Sequence, residues 1–306
     1  MPLWAGILAL TSVLASLLVW ITGSRVYKKT FKTKPVKFDK RQQPHAQNLE
    51  ELSEYKHQKF LIESSKNHYN IDTIHIKSNR VSNDVIILVH GIRRNYYELL
   101  PTAFRYLKDG YNVVMYNQRQ SGETGGKNTT FGLAEKFDLE EIAGVTRRIY
   151  PHGKLGVHGF SMGASTAIMQ SELNEQSNFV DFYILDAPFH TMASAVELAA
   201  SRGEETKMPA WFVKFAGDAV LRLRKRVAYK DIAPINIISK SHRPILLLHG
   251  DQDDWTLPDG SRQLFEAISH DKRRLETFTD AGHCVIHLED EDEYFKRIHQ
   301  FIADFL

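Results

Sequence analysis

Apolar residues fill positions 3–21 with no charged side chain among them, and the chain then turns abruptly basic. From residue 85 onward they recur as short unbroken runs separated by stretches of helical period. A run of 19 residues, at about 1.5 Å per residue in a helix, just spans a hydrocarbon core of roughly 30 Å. Trp4 and Trp20 stand near its two ends, where indoles favour a membrane interface. Residues 35–47 read as a polar linker. Residues 49–65 carry apolar side chains at helical spacing and predict a helix, and residues 69–77 alternate weakly as an early strand.

Beyond them the pattern is βα. Val85-Ile-Ile-Leu-Val89 predicts a buried strand, followed by a helix over 98–108 and a second strand at 113–116. A Gly-rich loop at 121–127 and a helix over 137–148 come next. A strand at 155–158 then leads into a helix over 161–173. Runs at 182–185, 245–248 and 275–278 continue the series, and a helix over 290–305 ends it. Short apolar strands without alternation, separated by helices, indicate a mostly parallel sheet covered on both faces. Residues 189–241 interrupt this rhythm with two or three amphipathic helices and no convincing strand. An insertion there would form a helical cap over the C-terminal edge of the sheet, where open α/β sheets bind ligands. Within it Met208-Pro-Ala-Trp-Phe-Val213 either lines a pocket or is consumed by the packing of the cap itself. The reading is an anchor at 3–22, a basic juxtamembrane segment with a linker helix at 23–68, and an α/β domain at 69–306 with its cap at about 189–241.

Charge sharpens the N-terminal reading. Of 39 basic and 37 acidic residues, eight and one lie between residues 25 and 41, which leaves 31 against 36 elsewhere. Basicity is therefore local, and a nucleic-acid-binding body is not indicated. A cleaved signal peptide would carry its positive charge before the apolar run, whereas here the charge follows it. The expectation is an uncleaved single-pass anchor in the cell membrane, with the basic flank and the globular body on the cytoplasmic side. Anionic headgroups would attract the same lysines. The single cysteine, Cys284, excludes a disulfide within the chain.

Candidate chemistry centres on Gly159-Phe160-Ser161-Met162-Gly163, a G-x-S-x-G sequence between a predicted strand and a predicted helix. A serine at such a turn is pushed clear of the main chain, and the residues two positions away on each side must be small. Asp253 and His283 follow in the order Ser, Asp, His that this strand-turn-helix design uses. A hydroxyl is a poor nucleophile at neutral pH and needs a base within hydrogen-bond reach. Histidine titrates near neutrality and suits that task. An acid must in turn fix the imidazole tautomer.

Together with His90-Gly91-Ile92 after the first strong strand, these residues resemble the α/β-hydrolase superfamily over about residues 72–306. His249-Gly250-Asp251-Gln252-Asp253-Asp254-Trp255-Thr256-Leu257-Pro258 resembles its acid loop, and Ala281-Gly282-His283 its terminal histidine loop. The anchor, the loop at 122–126 and Asp186-Ala187-Pro188 look similar to a membrane-tethered bacterial group of mostly unassigned substrate. The resemblance implies an α/β-hydrolase fold with Ser161 as nucleophile, His283 as base and Asp253 as acid, and needs neither cofactor nor metal. Asp251, Asp254 and Asp186 remain rival acids. The backbone N–H groups of Ile92 and Met162 are the implied oxyanion hole. One departure is the loop after residue 116, where Asn117 and Gln120 replace a frequent D-x-R-G-x-G pattern; that loop is usually structural.

Other chemistry-bearing residues have blander readings. His283 and His287 are four apart, but no H-E-x-x-H sequence or third ligand accompanies them. Cys284 reads as a small packed residue, and Arg93 and Arg94 as a solvated pair or as contacts for an anionic substrate group. Trp255 either walls a pocket or packs the acid loop. The expected activity is cleavage of a small-molecule carboxylic ester through an acyl-enzyme, with a lipophilic acyl group favoured by the apolar cap and the tether. Amidase, peptidase or thioesterase chemistry and a non-catalytic binding protein on the same scaffold are the alternatives. Oligomeric state is not legible.

Overall fold

The apolar runs become strands because β-branched and aliphatic side chains on both sides of the backbone can be buried only between two helical layers. A computed structural model describes residues 3–32, 46–203 and 207–306. The strands are β1 (His57–Ser64), β2 (Tyr69–Ile76), β3 (Val85–Val89), β4 (Asn112–Tyr116), β5 (Leu155–Phe160), β6 (Phe182–Asp186), β7 (Ile245–Gly250) and β8 (Arg273–Phe278). They form one sheet in the order β1-β2-β4-β3-β5-β6-β7-β8. β1 and β2 are antiparallel to each other, β2 is antiparallel to β4, and the six strands from β4 to β8 are parallel.

The helices are α1 (Leu3–Thr30), α2 (Ala46–Ser53), α3 (Leu100–Asp109), α4 (Glu135–Ile149), α5 (Met162–Ser177), α6 (Met192–Ser201), α7 (Ala210–Lys225), α8 (Ile235–Ile238), α9 (Pro258–Ala267), α10 (Ile286–Glu289) and α11 (Glu291–Phe305). On β3, Ile86 and Leu88 face one core with α3 and α11, while Val85, Ile87 and Val89 face the other with α4 and α5. That two-sided burial is the α/β-hydrolase arrangement expected from the sequence, a mostly parallel sheet with helices on both faces.

Residues 49–65 are not one helix. The helix ends at Ser53, and His57–Ser64 pairs with β2 in register from His57–Ile76 to Ser64–Tyr69. Leu49, Leu52 and Tyr55 begin a helical spacing. The strand behind them alternates instead, with Ile62 and Ser64 buried and Leu61 and Glu63 exposed. The buried Asp138 carboxylate of α4 fixes that hairpin, accepting bonds from Ser64 Oγ at 2.6 Å and Asn67 Nδ2 at 2.8 Å. The sheet therefore begins at His57, ahead of the domain boundary at residue 69 read from the sequence. The linker residues 35–45 lie outside the described residues, with Lys34, Lys37, Lys40 and Arg41.

The chain divides into two compact units, one of Met1–Thr33 with Thr191–Ala233 and one of Lys34–His190 with Pro234–Leu306. The second contains the sheet. The first joins α1 to α6 and α7, the helices of the segment expected to form a cap. Lys214 Nζ of α7 meets Glu197 of α6 at 2.6 Å, and Asp218 accepts the Tyr229 N–H at 2.7 Å. Of the apolar stretch at 208–213, Val213 is buried, whereas Trp211 stays 64% exposed, so cap packing consumes only part of it.

Candidate active site

The turn between β5 and α5 holds Ser161 at φ 54° and ψ −118°, outside the regions ordinary residues favour. Its N–H donates to the Asp186 carbonyl at 2.8 Å. The small residues on either side are sterically required. A Cβ on Gly163 would lie 2.1 Å from the Val89 carbonyl oxygen, and one on Gly159 would lie 2.6 Å from the backbone of Ala164. The elbow is thus wedged between its own helix and the end of β3, and the strain at Ser161 is held there by packing.

His283 enters from the loop after β8. Its Nε2 lies 2.9 Å from Ser161 Oγ, and its Nδ1 lies 2.7 Å from Asp253 Oδ2. Asp253 is buried after β7 and is heavily solvated by protein donors. Trp255 N–H and Thr256 N–H bond Oδ1 at 2.8 and 3.0 Å, and the Thr256 hydroxyl bonds Oδ2 at 3.0 Å. His249 Nε2 lies 3.1 Å from the same Oδ2. Burial by itself would raise this carboxyl. Hydrogen bonds from His249, His283 and the Thr256 backbone outweigh it and hold the group well below the usual carboxylate range. An ionised Asp253 selects the tautomer with the proton on His283 Nδ1 and leaves Nε2 free to accept from Ser161.

The rival carboxylates are elsewhere. Asp251 and Asp254 are exposed, and Asp251 caps the Asp280 N–H at 2.8 Å. Asp186 is fully buried beside the elbow, yet its carboxylate takes the Tyr294 O–H at 2.7 Å, and its Oδ1 meets no hydrogen-bond partner among the described residues. Burial pushes it up to about 6, against the pull of the Tyr294 bond and of His249 and His283. Such a carboxyl binds a proton in the fold at a pH where the unfolded chain has already released it, so its penalty is complete at alkaline pH and fades as pH falls through 6. Asp186→Asn should therefore gain about 2–3 kcal/mol relative to wild type between about pH 4 and about pH 8. Unfolding midpoints of the two proteins across that range test this, and a constant gap would show that Asp186 is ionised throughout.

The loop after β3 lies against Ser161. A Cβ on Gly91 would sit 3.4 Å from Ser161 Cβ, which places His90-Gly91-Ile92 beside the elbow. Met162 is the first residue of α5, so its N–H is one of the donors a helix leaves without an internal acceptor. Sequence reasoning missed what holds these loops. Gln118 donates its backbone N–H to His90 Nε2 at 2.9 Å and its side-chain amide to the His90 carbonyl. Asn117 bridges Asp72 at 2.6 Å and the Tyr96 N–H at 3.0 Å, giving the divergent loop its structural task. Thr256 also ties the acid loop to the Ala187 carbonyl at 3.1 Å. A threonine three residues after an aspartate is a common turn pattern, and that was the one available signal.

The remaining candidates separate cleanly. His283 lies in a loop before α10 and His287 within it, so they share no helix face, and the two His283 nitrogens face Asp253 and Ser161. Burial raises the Cys284 thiol well above its ordinary range, and its sulfur faces the Asp186 carbonyl at 3.8 Å. Arg94 pairs with Glu98 at 2.7 Å. Trp255 stacks near the His283 ring at 6.4 Å and remains 60% exposed, so it is no packed part of the acid loop.

A sequence model of the Alpha/beta hydrolase family matches residues 86–297, more than half of the chain. This chain belongs to that family. Hydrolase chemistry comes with the membership. An uncharacterized protein, YqkD, of Bacillus subtilis strain 168 is 29% identical over 235 residues, covering 76% of this chain and 75% of its own. Among solved structures, the Pyrococcus furiosus esterase Pf2001 superposes with a TM-score of 0.67 at 24% identity, over 84% of this alpha/beta hydrolase and 95% of that chain. The acylaminoacyl peptidase of Pyrococcus horikoshii gives a TM-score of 0.60 at 17% identity, over 81% of this chain and 41% of that one. At these identities the two structures speak for the fold.

Proposed function

We propose that this alpha/beta hydrolase is a membrane-anchored serine esterase. The observation that carries the reading is the continuous hydrogen-bonded line from Ser161 Oγ through His283 to Asp253, at 2.9 and 2.7 Å. In this mechanism Ser161 attacks the ester carbonyl while His283 Nε2 takes its proton. The N–H groups of Ile92 and Met162 meet the oxyanion of the tetrahedral intermediate, at a helix N-terminus that also favours negative charge. Collapse expels the alcohol, which receives the proton from His283. A water activated by the same imidazole then attacks the acyl-enzyme, and Ser161 leaves with its proton restored.

The anchor is α1. It is long and apolar enough to cross a membrane, and only 6% of its most apolar window is buried, unlike a core helix of a soluble protein. A signal peptide would be severed near the end of the apolar run. Here Thr22, Gly23, Val26 and Tyr27 of the same helix are buried in the unit that contains the cap. The basic residues that follow favour the cytoplasmic side for the body. A lipophilic acyl substrate fits a site delivered to a membrane.

One experiment tests activity and sidedness together. A fluorophosphonate probe should label the protein in lysed cells, and labelling should vanish in Ser161→Ala. A membrane-impermeant version applied to intact cells should leave it unlabelled. Absence of labelling in lysates would point to a binding protein on a hydrolase scaffold, and labelling of intact cells would reverse the topology.

A further inference from the structure

The end of α1 and the cap helix α7 approach backbone to backbone. A Cβ on Gly23 would stand 2.1 Å from the Ala216 carbonyl oxygen and 2.5 Å from Val220 Cγ2, and one on Gly217 would stand 3.0 Å from Val26 Cγ1. A side chain at Gly23 would part the helices, and one at Gly217 would meet the Tyr229 hydroxyl at 2.2 Å as well as crowd Val26. The contacts also give their direction. Val26 faces Gly217, Gly23 faces Val220, and the Arg224 guanidinium lies 4.9 Å from the Trp20 ring and 5.2 Å from the Tyr27 ring, with Nη2 3.3 Å from Ser24 Oγ. As the chain number falls along α1 it rises along α7, so the two helices are antiparallel. The C-terminal turn of α7 is thereby brought level with Trp20, near the end of the apolar run of α1.

That turn has an unusual composition for a soluble surface. Arg222, Leu223, Arg224, Lys225 and Arg226 are consecutive and all exposed, with Leu223 at 74%. On α1, Arg25, Lys28 and Lys29 are exposed at neighbouring levels. Asp218, one turn earlier on α7, pairs with Arg222 at 2.7 Å and accepts the Tyr229 N–H. An exposed leucine among four cations suits the boundary between acyl chains and phosphates, where an apolar side chain and a basic one are both accommodated.

We propose that the C-terminal turn of α7, with Arg25, Lys28 and Lys29 of α1, docks on the anionic phospholipid headgroups of the bilayer that holds α1. The proposal rests on reading α1 as a membrane anchor. The cap is then a membrane-seated element and no free lid, because the helix that spans the bilayer and the helix that shapes the cap are one packed pair. Negative surface potential reaches only about a Debye length into solution, so only residues held this close to the anchor would sense it.

The test uses the full chain in lipid nanodiscs, of phosphatidylcholine alone or mixed with phosphatidylglycerol. Leu223→Cys and Ala15→Cys are each labelled with bimane, and quenching by lipids carrying a nitroxide near the headgroup or deeper in the acyl chain is measured. Unsubstituted protein gives the background from half-buried Cys284. Ala15→Cys should be quenched by the deep nitroxide in both lipids. Leu223→Cys should lose roughly half its emission to the shallow nitroxide when phosphatidylglycerol is present, an effect abolished by adding Lys225→Glu and Arg226→Glu. Quenching at residue 15 but not at 223 overturns the docking and leaves the anchor intact. Equal quenching at 223 in both lipids overturns the headgroup assignment, and no quenching at either position overturns the anchor as well.

Discussion

Ser161→Ala and His283→Ala are each expected to lower ester turnover by roughly 10⁶-fold, and the double replacement is expected to lower it no further. The reason is geometric. Among the described residues, the Ser161 hydroxyl has no other base at 2.9 Å and His283 Nε2 has no other alcohol to activate, so removing either atom is expected to remove the whole step. What is expected to survive is substrate binding and the proposed oxyanion site, which would act without the nucleophile. Steady-state rates on a p-nitrophenyl ester, with unfolding midpoints to show that the fold persists, measure this. Losses that multiply in the double variant would mean that the two side chains act independently, and the acyl-enzyme route would be lost.

The second large effect is expected at the acid. Asp253→Asn should reduce kcat by roughly 10⁴-fold with little change in KM, as when the same substitution reverses the imidazole tautomer in other triads. Here Asp253 Oδ2, 2.7 Å from His283 Nδ1, also accepts from the Thr256 hydroxyl, while Oδ1 is held by the Trp255 and Thr256 N–H groups, so the side chain cannot turn away to relieve the mismatch. Asp251→Asn and Asp254→Asn, both at exposed positions, should stay within a few-fold of wild type. A rate for Asp253→Asn within tenfold of wild type would shift the role to another carboxylate, with Asp186 first in line.

The strand at 85–89, the elbow and the strands after it were legible because each depends on local pattern. A parallel strand buried on both faces must be a short apolar run, and a nucleophile turn must have small residues around it. The strand at 57–64 was not legible, since Leu49, Leu52 and Tyr55 set up a helical spacing that only pairing with residues 69–76 overrides. The choice among four carboxylates was open for a similar reason. Asp251, Asp253 and Asp254 share one loop, and which of them turns inward is decided by Trp255 N–H, Thr256 N–H and His249 rather than by residue type.

By itself, then, the sequence determined the layered α/β architecture, the order in which the proposed nucleophile, acid and base occur, and the apolar N-terminal helix, all properties of residues close together along the chain. Tertiary structure alone decided that Asp253 meets His283, that Gln118 holds the loop beside the elbow, and that the N-terminal helix packs on the cap through Gly23 and Gly217. Those contacts join residues far apart along the chain, and no local period encodes them, because a side chain's partner across such a distance is set by how all the intervening elements stack.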